Sequence, residues 1–476
     1  MTTDQIAGQY IYPSFNDELR GLLPGKVVVP GDTAWDAART PWVANVDQRP
    51  RAVVNVADAI DVVAIVRFAY DRGLTVAAQP GGHGGTRALD DTILLRTRDL
   101  GGIEVDVDAR VARVGAGVKW GELMAALEGT GLTGLVGSTP DTTVVGLSVG
   151  GGLSWFGRAY GLAADSLVSL EIVDAHGDLV RVTADSDADL FWALRGGGGD
   201  FGIITAAEVA LHPAAEVYGG RLMWPIEHAP EVLHAYQAVT ASAPDELTAW
   251  FHLLRFPPIP DIPEPLRGGS FVTFDLTYLG EACLAEKLLA PVRALPAPMI
   301  DTRAPVQLSR IGDILQEPLD PTPALERSRL LAELSDQAID ALLEVAGPEA
   351  ESMLTIVQLR HLGGALARPS AHPGAVGTLE ENFQLFLLGI PAVPQLVQPL
   401  LAQLDHAERT MEPFATDRRI FNFLGDDADP AQAFTPEALG RLRAIKAERD
   451  PFGVIRSNRP VLQASTLPAA RIPRPR

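Results

Sequence analysis

The sequence predicts an α+β fold in two parts, on three observations. Up to about residue 212, short apolar strands alternate with short helices and glycine punctuates them. From about 216 the strands lengthen and alternate polar with apolar residues, with helical stretches between them. From about 411 the pattern returns to short pieces. These changes of texture set boundaries at 1–215, 216–410 and 411–476.

The elements follow in order. Ala52–Val56 reads as a strand, and Asp58–Arg72 carries helical spacing through Ile60, Val63, Ala64 and Phe68 before Gly73 stops it. Thr75–Ala78 is a strand that runs into the loop Gln79–Gly85 (QPGGHGG). Val105–Val107 and Val111–Val114 form a hairpin, and Trp120–Leu127 a helix. Leu167–Val173 and Leu179–Thr183 pair across a tight turn at Ala175–Gly177. Asp189–Arg195 is a short helix and Gly202–Leu211 a strand. Further on, Tyr218–Pro225, Leu247–Phe256, Ser270–Leu279, Met353–Leu362 and Phe383–Ile390 read as half-polar strands. With the helical stretches Ala282–Ala294 and Ala324–Val345, they predict one antiparallel sheet covered by helices on its other face. Pro257–Pro265 is a stiff loop, and the basic, Pro-rich Ile472–Arg476 is expected to fray. There is no internal repeat.

Composition narrows the function. Of 476 residues, 39 are Lys or Arg and 60 are Asp or Glu, so the net charge is 39 − 60 = −21, which argues against nucleic acid as a partner. The single cysteine, Cys283, excludes internal disulfides and multi-thiolate metal sites. The nine histidines show no metal-ligand spacing, and no Walker A pattern occurs. The N-terminus lacks the basic and apolar regions of a secretion signal, and no apolar run approaches the roughly 18 residues of a membrane span. The expectation is a cytoplasmic monomer or homodimer without a membrane partner.

Two motifs point elsewhere than the rest. Gly197–Gly202 (GGGDFG) satisfies G-x-G-x-x-G, but a dinucleotide fingerprint follows a strand and opens a helix, and here a helix precedes and a strand follows. Gly146–Gly150 (GLSVG) fits the nucleophile elbow of serine hydrolases around Ser148; an elbow needs a helix directly after the serine, and this one runs into Gly151 and Gly152. A serine hydrolase is therefore the alternative from a different class.

The chemistry lies in a glycine-rich constellation. Gln79–Gly85 has four glycines in seven residues at a strand end, with His83 at its centre. Such a loop brings successive backbone N–H groups close to an anion and suits a pyrophosphate. Gly137–Thr143 (GSTPDTT), Gly146–Gly152 (GLSVGGG) and Arg195–Thr205 (RGGGGDFGIIT) place small residues where a flat, wide ligand can lie on backbone. Together with Trp42–Pro50 (WVANVDQRP), Gly161–Ser166 (GLAADS), Asp189–Gly202, Phe421–Phe423 (FNF) and Asp450–Asn458 (DPFGVIRSN), they span nearly the whole chain. In this ordered set the chain resembles the berberine-bridge-enzyme-like FAD-linked oxidoreductases of the vanillyl-alcohol-oxidase class.

The resemblance implies a two-lobed PCMH-type FAD-binding domain over 1–215, a substrate domain over 216–410, and a C-terminal segment that returns to the FAD domain. It places FAD against Gln79, Gly81, Gly82, Gly84, Gly85, Thr139, Pro140, Asp141, Thr142, Gly146, Gly150, Gly152, Ile204 and Asn422. His83 stands where the family joins an imidazole nitrogen to the flavin 8-methyl carbon. Many members add a cysteine bonded to flavin carbon 6; that position is Thr139 here, so a single covalent link is expected. Thr142, Thr143 and Val144 line the flavin beside it and could gate oxygen. The implied reaction is hydride transfer from a small organic substrate (a natural product, alcohol or sugar) to the flavin, with reoxidation by O2 or, in a dehydrogenase, by another acceptor.

At the proton acceptor the sequence departs from the family. Members place tyrosines two before and one after the asparagine of the C-terminal motif, and here those positions are Ile420 and Phe423. Asn422 remains as a hydrogen-bond partner at the flavin. The candidate replacement base is His361 in the substrate sheet, with Tyr278 behind it. Trp224, Trp250 and Phe274 are the aromatic residues expected at the cleft, too few to mark a carbohydrate site.

Overall fold

A computed structural model of the chain describes residues 14–425 and 428–462; the expectations for the first thirteen residues and for Ile472–Arg476 lie outside them. Three large sheets and one two-stranded pair, Leu132–Thr133 with His212–Pro213, organise the described residues. In the first, Ala52–Asn55, Ile93–Arg96 and Val76–Ala78 run parallel, with Val27–Val28 antiparallel at one edge. The helix Ala59–Arg72 supplies the crossover. Its start is capped by Asp58, whose carboxylate accepts from Asp61 N (2.9 Å), and its end by Gly73 at φ 62°, a left-handed turn that disfavours a side chain. The second sheet is antiparallel, in the order Ile103–Asp106, Val111–Gly115, Ile203–Ala210, Leu167–Val173, Leu179–Val182.

The third sheet is large and antiparallel throughout. Its central order is Val217–Pro225, Ser270–Leu279, Leu247–Arg255, Ile356–His361, Phe383–Gly389, Leu325–Leu331. Strand alternation gives it two unlike faces. Leu222, Phe251, Phe274, Leu359 and Leu385 pack with Val232, Ile339 and Leu404 of the helices Ala229–Thr240, Asp336–Ala346 and Val397–Met411. The opposite face carries the polar residues described below. The α+β architecture and the helix-covered antiparallel sheet are those expected.

Three elements differ from expectation. The first half of Ala324–Val345 is the strand Leu325–Leu331, and only Asp336–Ala346 is helical. Arg327 and Arg329, two residues apart, both meet Glu408 of the facing helix, which a strand allows and a helix does not. Ala282–Ala294 divides into Ala282–Leu288 and Ala290–Arg293 next to Pro291, which cannot donate a helical hydrogen bond. After residue 411 the described elements are helical, chiefly Pro436–Arg449.

The segment that follows returns to the first sheet: Val76 N donates to Val454 O (2.7 Å) and Arg456 N to Val76 O (2.9 Å). A buried latch holds it. Lys446 Nζ donates to Asp450 (2.8 Å), Asp200 O (2.6 Å) and Ile455 O (2.7 Å). Asp450 also accepts from Val454 N and Ile455 N, while Asp200 accepts from Ser457 N and Val461 N. The aspartates of the two distant motifs thus cap turns and join them.

Candidate active site

The Gln79–Gly85 loop leaves the strand Val76–Ala78 and folds against Pro41. A Cβ on Gly82 (φ 94°) or Gly85 would lie 2.8 Å from Pro41 Cβ, so only glycine fits both positions. Gln79 is buried and fixed by Arg96, which donates to its carbonyl (3.3 Å) and side-chain oxygen (3.1 Å). The backbone N–H groups of Gly81, Gly82, His83 and Gly84 meet no acceptor among the described residues. Successive unpaired donors on a glycine loop fit the pyrophosphate of FAD. Thr143 Oγ1 caps the helix Val144–Ser148 by accepting from Gly146 N (3.1 Å), and a Cβ on Gly146 would press on that oxygen at 2.7 Å.

His83 is oriented from two sides. Its ring stacks on Trp42 (centroids 4.4 Å, 17° between planes), and its Nε2 lies 3.3 Å from Asp141 Oδ2. An ionised carboxylate only accepts, so Nε2 carries the hydrogen that meets Asp141, and in the neutral ring Nδ1 keeps its lone pair. Lys119 forms an ion pair with the other oxygen of Asp141. Burial pushes the Asp141 carboxyl up, but the hydrogen bonds from His83 and Lys119 outweigh it and hold the group below its ordinary value. Thr139 Oγ1 accepts from Asp141 N (3.2 Å), which ties the Thr139–Thr142 turn to the same cluster. Pro140 O accepts from Gly121 N (2.9 Å), anchoring that turn to the helix Trp120–Ala126.

Asn422 acts on backbone. Its Oδ1 accepts from Gly152 N (2.8 Å) and its Nδ2 donates to Leu147 O (3.2 Å), while a Cβ on Gly150 would collide with the same amide. It clamps the glycine turn against the short helix Phe421–Phe423. Ile204 is buried at the irregularity where Ile203–Ala210 pairs with Leu167–Val173. Ser148 lies at the end of its helix, fully buried, and donates to Val144 O (2.7 Å). The helix precedes the serine and its hydroxyl is committed, so there is no nucleophile elbow.

His361 sits on the other side of the large antiparallel sheet from the residues that reach these loops. It shares the helix-covered face with Val357 and Leu359 and packs at 5.7 Å on Phe383. Its Nε2 accepts from Arg158 Nη1 (3.0 Å); burial, reinforced by the Arg158 charge, pushes its pKa down to about 3. This position contradicts the reading of His361 as the base. Tyr278 lies on the same face with Phe274, and Trp224 is in that core too. Of the three expected cleft aromatics, Trp250 alone turns toward the glycine-rich loops, stacked at 3.6 Å on Trp155.

The face turned toward the loops carries a polar chain that the sequence reading missed. Arg221 Nε and Nη2 donate to Asp275 (2.6 and 3.2 Å), and His252 Nδ1 lies 2.7 Å from Asp275 Oδ2. Gln358 Nε2 meets His252 Nε2, and Arg360 Nε donates to Gln358 Oε1 (2.7 Å). Because Arg360 only donates, the direction of every bond follows: Gln358 donates to His252, and neutral His252 donates through Nδ1 to Asp275. Burial lowers the His252 pKa against the pull of Asp275, in agreement. Burial would raise Asp275, but Arg221 and His252 hold it below its ordinary value. The signal for this chain in the sequence is polar residues two apart (358 and 360, 273 and 275) in otherwise apolar strands.

The family description "FAD binding domain" matches residues 50–183. The chain is 27% identical over 453 residues to (R)-6-hydroxynicotine oxidase of Paenarthrobacter nicotinovorans, covering 92% of this chain and 96% of that protein. A solved structure of 6-hydroxy-D-nicotine oxidase from Arthrobacter nicotinovorans superposes with a TM-score of 0.74 at 25% identity, over 91% of this chain and 96% of that one. The chain is an FAD-dependent oxidoreductase. The same fold appears in the Physcomitrella patens BBE-like 1 protein, with a TM-score of 0.80 at 20% identity, over 93% of this chain and 99% of that one. An FAD-dependent monooxygenase of Fusarium proliferatum, FUP4, is 30% identical over 306 residues, 63% of this oxidoreductase and 57% of that protein. Among the described residues no helix is long and apolar enough to cross a membrane, and no cluster of metal ligands occurs.

Proposed function

We propose that this oxidoreductase is an oxidase of small organic molecules, with FAD joined once to the protein through Nδ1 of His83. The observation that carries the proposal is the His83 geometry. Asp141 holds the proton on Nε2, Trp42 fixes the ring plane, and Nδ1 is left with its lone pair for bond formation. Thr139, at the position of the family's second link, has a hydroxyl that cannot form a thioether. FAD held there would supply two-electron redox chemistry, with a hydride taken from a substrate carbon and O2, reduced to hydrogen peroxide, as final acceptor.

The protein's part is to hold and orient. The Gly81–Gly84 donors would hold the pyrophosphate, and Asn422 keeps the Leu147–Gly152 turn in shape. The substrate lies between that turn and the polar face of the large sheet. The relationship over nearly its full length to an enzyme named as an oxidase supports O2 as acceptor. Purified protein assayed with an oxygen electrode and a peroxide stain, against a panel of phenols, alkaloids and sugars, tests this. Turnover with an artificial dye but no oxygen uptake with any of these substrates would make it a dehydrogenase.

A further inference from the structure

Resting on the reading of the chain as a flavin oxidoreductase, we propose that Arg360 and Gln384 bind an ionised oxygen of the substrate. The site would then take an organic anion with an apolar body, a phenolate or an aromatic carboxylate.

Strand register places the residues. Asp275, Trp250, Arg360 and Gln384 are direct neighbours across four strands, all on the face turned toward the flavin loops. Arg360 lies over the rings of Trp250 (4.3 Å) and Phe423 (4.8 Å), and its Nη2 reaches Ser138 Oγ (3.5 Å), next to Thr139. It therefore sits beside Phe423, one of the two positions where the family resemblance places a tyrosine.

Two deficits mark this as a binding site rather than a finished core. Arg360 is 4% exposed, yet no Asp or Glu among the described residues forms an ion pair with it. The one carboxylate of the polar chain, Asp275, is already balanced by Arg221. Glu317 acts on Arg360 only at longer range, reaching it through Ser138. A buried guanidinium with no carboxylate in direct contact is costly unless a ligand supplies one. Beside it, Gln384 is fully buried, and neither its Oε1 nor its Nε2 has a hydrogen-bond partner. Gln358 and His252 pass orientation to Arg360 from behind and leave its Nη1 without a protein partner.

The rest of the surroundings are apolar. Phe386 packs edge-on to Phe423 (5.5 Å), and Ile420 clusters with Leu330, the cross-strand neighbour of Gln384. Charge is thus concentrated at one point beside an apolar wall, the arrangement that selects an ionised oxygen on an apolar body. For a phenolate it also accounts for the missing base: a phenol that gives its proton to solvent before binding needs only to lose a hydride from the carbon conjugated to its ring.

The test is equilibrium dialysis of the holoenzyme with two pairs of probes, 4-nitrophenolate against 4-nitroanisole and benzoate against benzamide. The anion of at least one pair is expected to bind tenfold or more tightly than its neutral analogue. For the phenol, the affinity should fall as pH drops below the phenol's own pKa, which separates a phenolate site from a carboxylate site. Arg360→Met should weaken anion binding by roughly ten- to a hundred-fold, the span of a charge-assisted hydrogen bond. Gln384→Leu, nearly equal in volume, keeps the protein folded if Arg360→Met does not, and should weaken the anion by about tenfold. Equal binding of anion and neutral analogue, or unchanged anion affinity in either folded variant, overturns the proposal. FAD content measured on the same samples separates the two readings: protein without flavin contradicts the proposed function, whereas flavin-loaded protein indifferent to charge contradicts only the anion site.

Discussion

At the scale of single residues, the account turns on how His83 is held. Asp141 keeps the proton on Nε2, so removing its charge should slow bond formation at Nδ1 without removing the loop that binds FAD. Asp141→Asn is expected to form covalent flavin about tenfold more slowly, the scale of one charge-assisted hydrogen bond. Gel fluorescence during reconstitution of apoprotein with FAD reads this directly, and a wild-type time course would remove Asp141 from the step. Thr139 gives a second prediction. Thr139→Cys should gain a second flavin attachment, seen by peptide mapping, whereas one is expected in the natural protein. His361 and Asn422 are the two catalytic candidates legible in the sequence; His361 lies in the helix-covered core, and Asn422 holds backbone of the glycine turn. Neither position can be judged from residue type: His361 is set by strand parity, and Asn422 by a contact 270 residues away in the chain, with Gly152.

At the scale of elements, the glycine turn Leu147–Gly152 depends on the short helix Phe421–Phe423. Asn422→Ala leaves Gly152 N–H and Leu147 O without their partner and should cost about 1–3 kcal/mol. Asn422→Asp keeps the acceptor but loses the donor, so its thermal midpoint should lie between those of the wild type and Asn422→Ala. Equal midpoints for all three would mean that the turn holds its own shape. The elements themselves were largely readable. Ser270–Leu279 and Leu167–Val173 follow from alternation, and Ala59–Arg72 from its spacing and its glycine stop. The misread segment, Leu325–Leu331, is short and charged, and its two arginines show their parity only against Glu408 of a helix about 80 residues later. The polar chain from Arg221 to Arg360 was illegible for the same reason, since it exists only once strands from four regions are in register.

At the scale of the whole molecule, two buried features join distant parts of the chain. Lys446 and Asp450, each with 3% of its side chain exposed, fasten the C-terminal segment to the Gly196–Gly202 turn. Lys446→Met should destabilise the protein by about 3–5 kcal/mol, because it strands a buried carboxylate. A melting temperature within a degree or two of wild type would show that the latch is dispensable. The second feature is His361 on Arg158, which bridges the substrate sheet to the helix Gly157–Tyr160. Its folded pKa of about 3 lies below the unfolded value near 6.5, so the unfolded chain binds the extra proton. Its contribution is present above pH 6.5 and is lost as pH falls toward 3. His361→Gln keeps an acceptor for Arg158 and does not titrate. Between pH 8 and pH 5 its melting temperature should therefore fall less than that of the wild type. A larger fall in the variant would reverse the sign and place the proton on the folded histidine.

The central claim is a single flavin bond at His83, and peptide mapping of the denatured, digested wild-type protein tests it most directly. The account predicts one flavin-bearing peptide, the one containing Gly81–Gly85, and none in His83→Ala. Flavin wholly released on denaturation, or found on any peptide without His83, would contradict it.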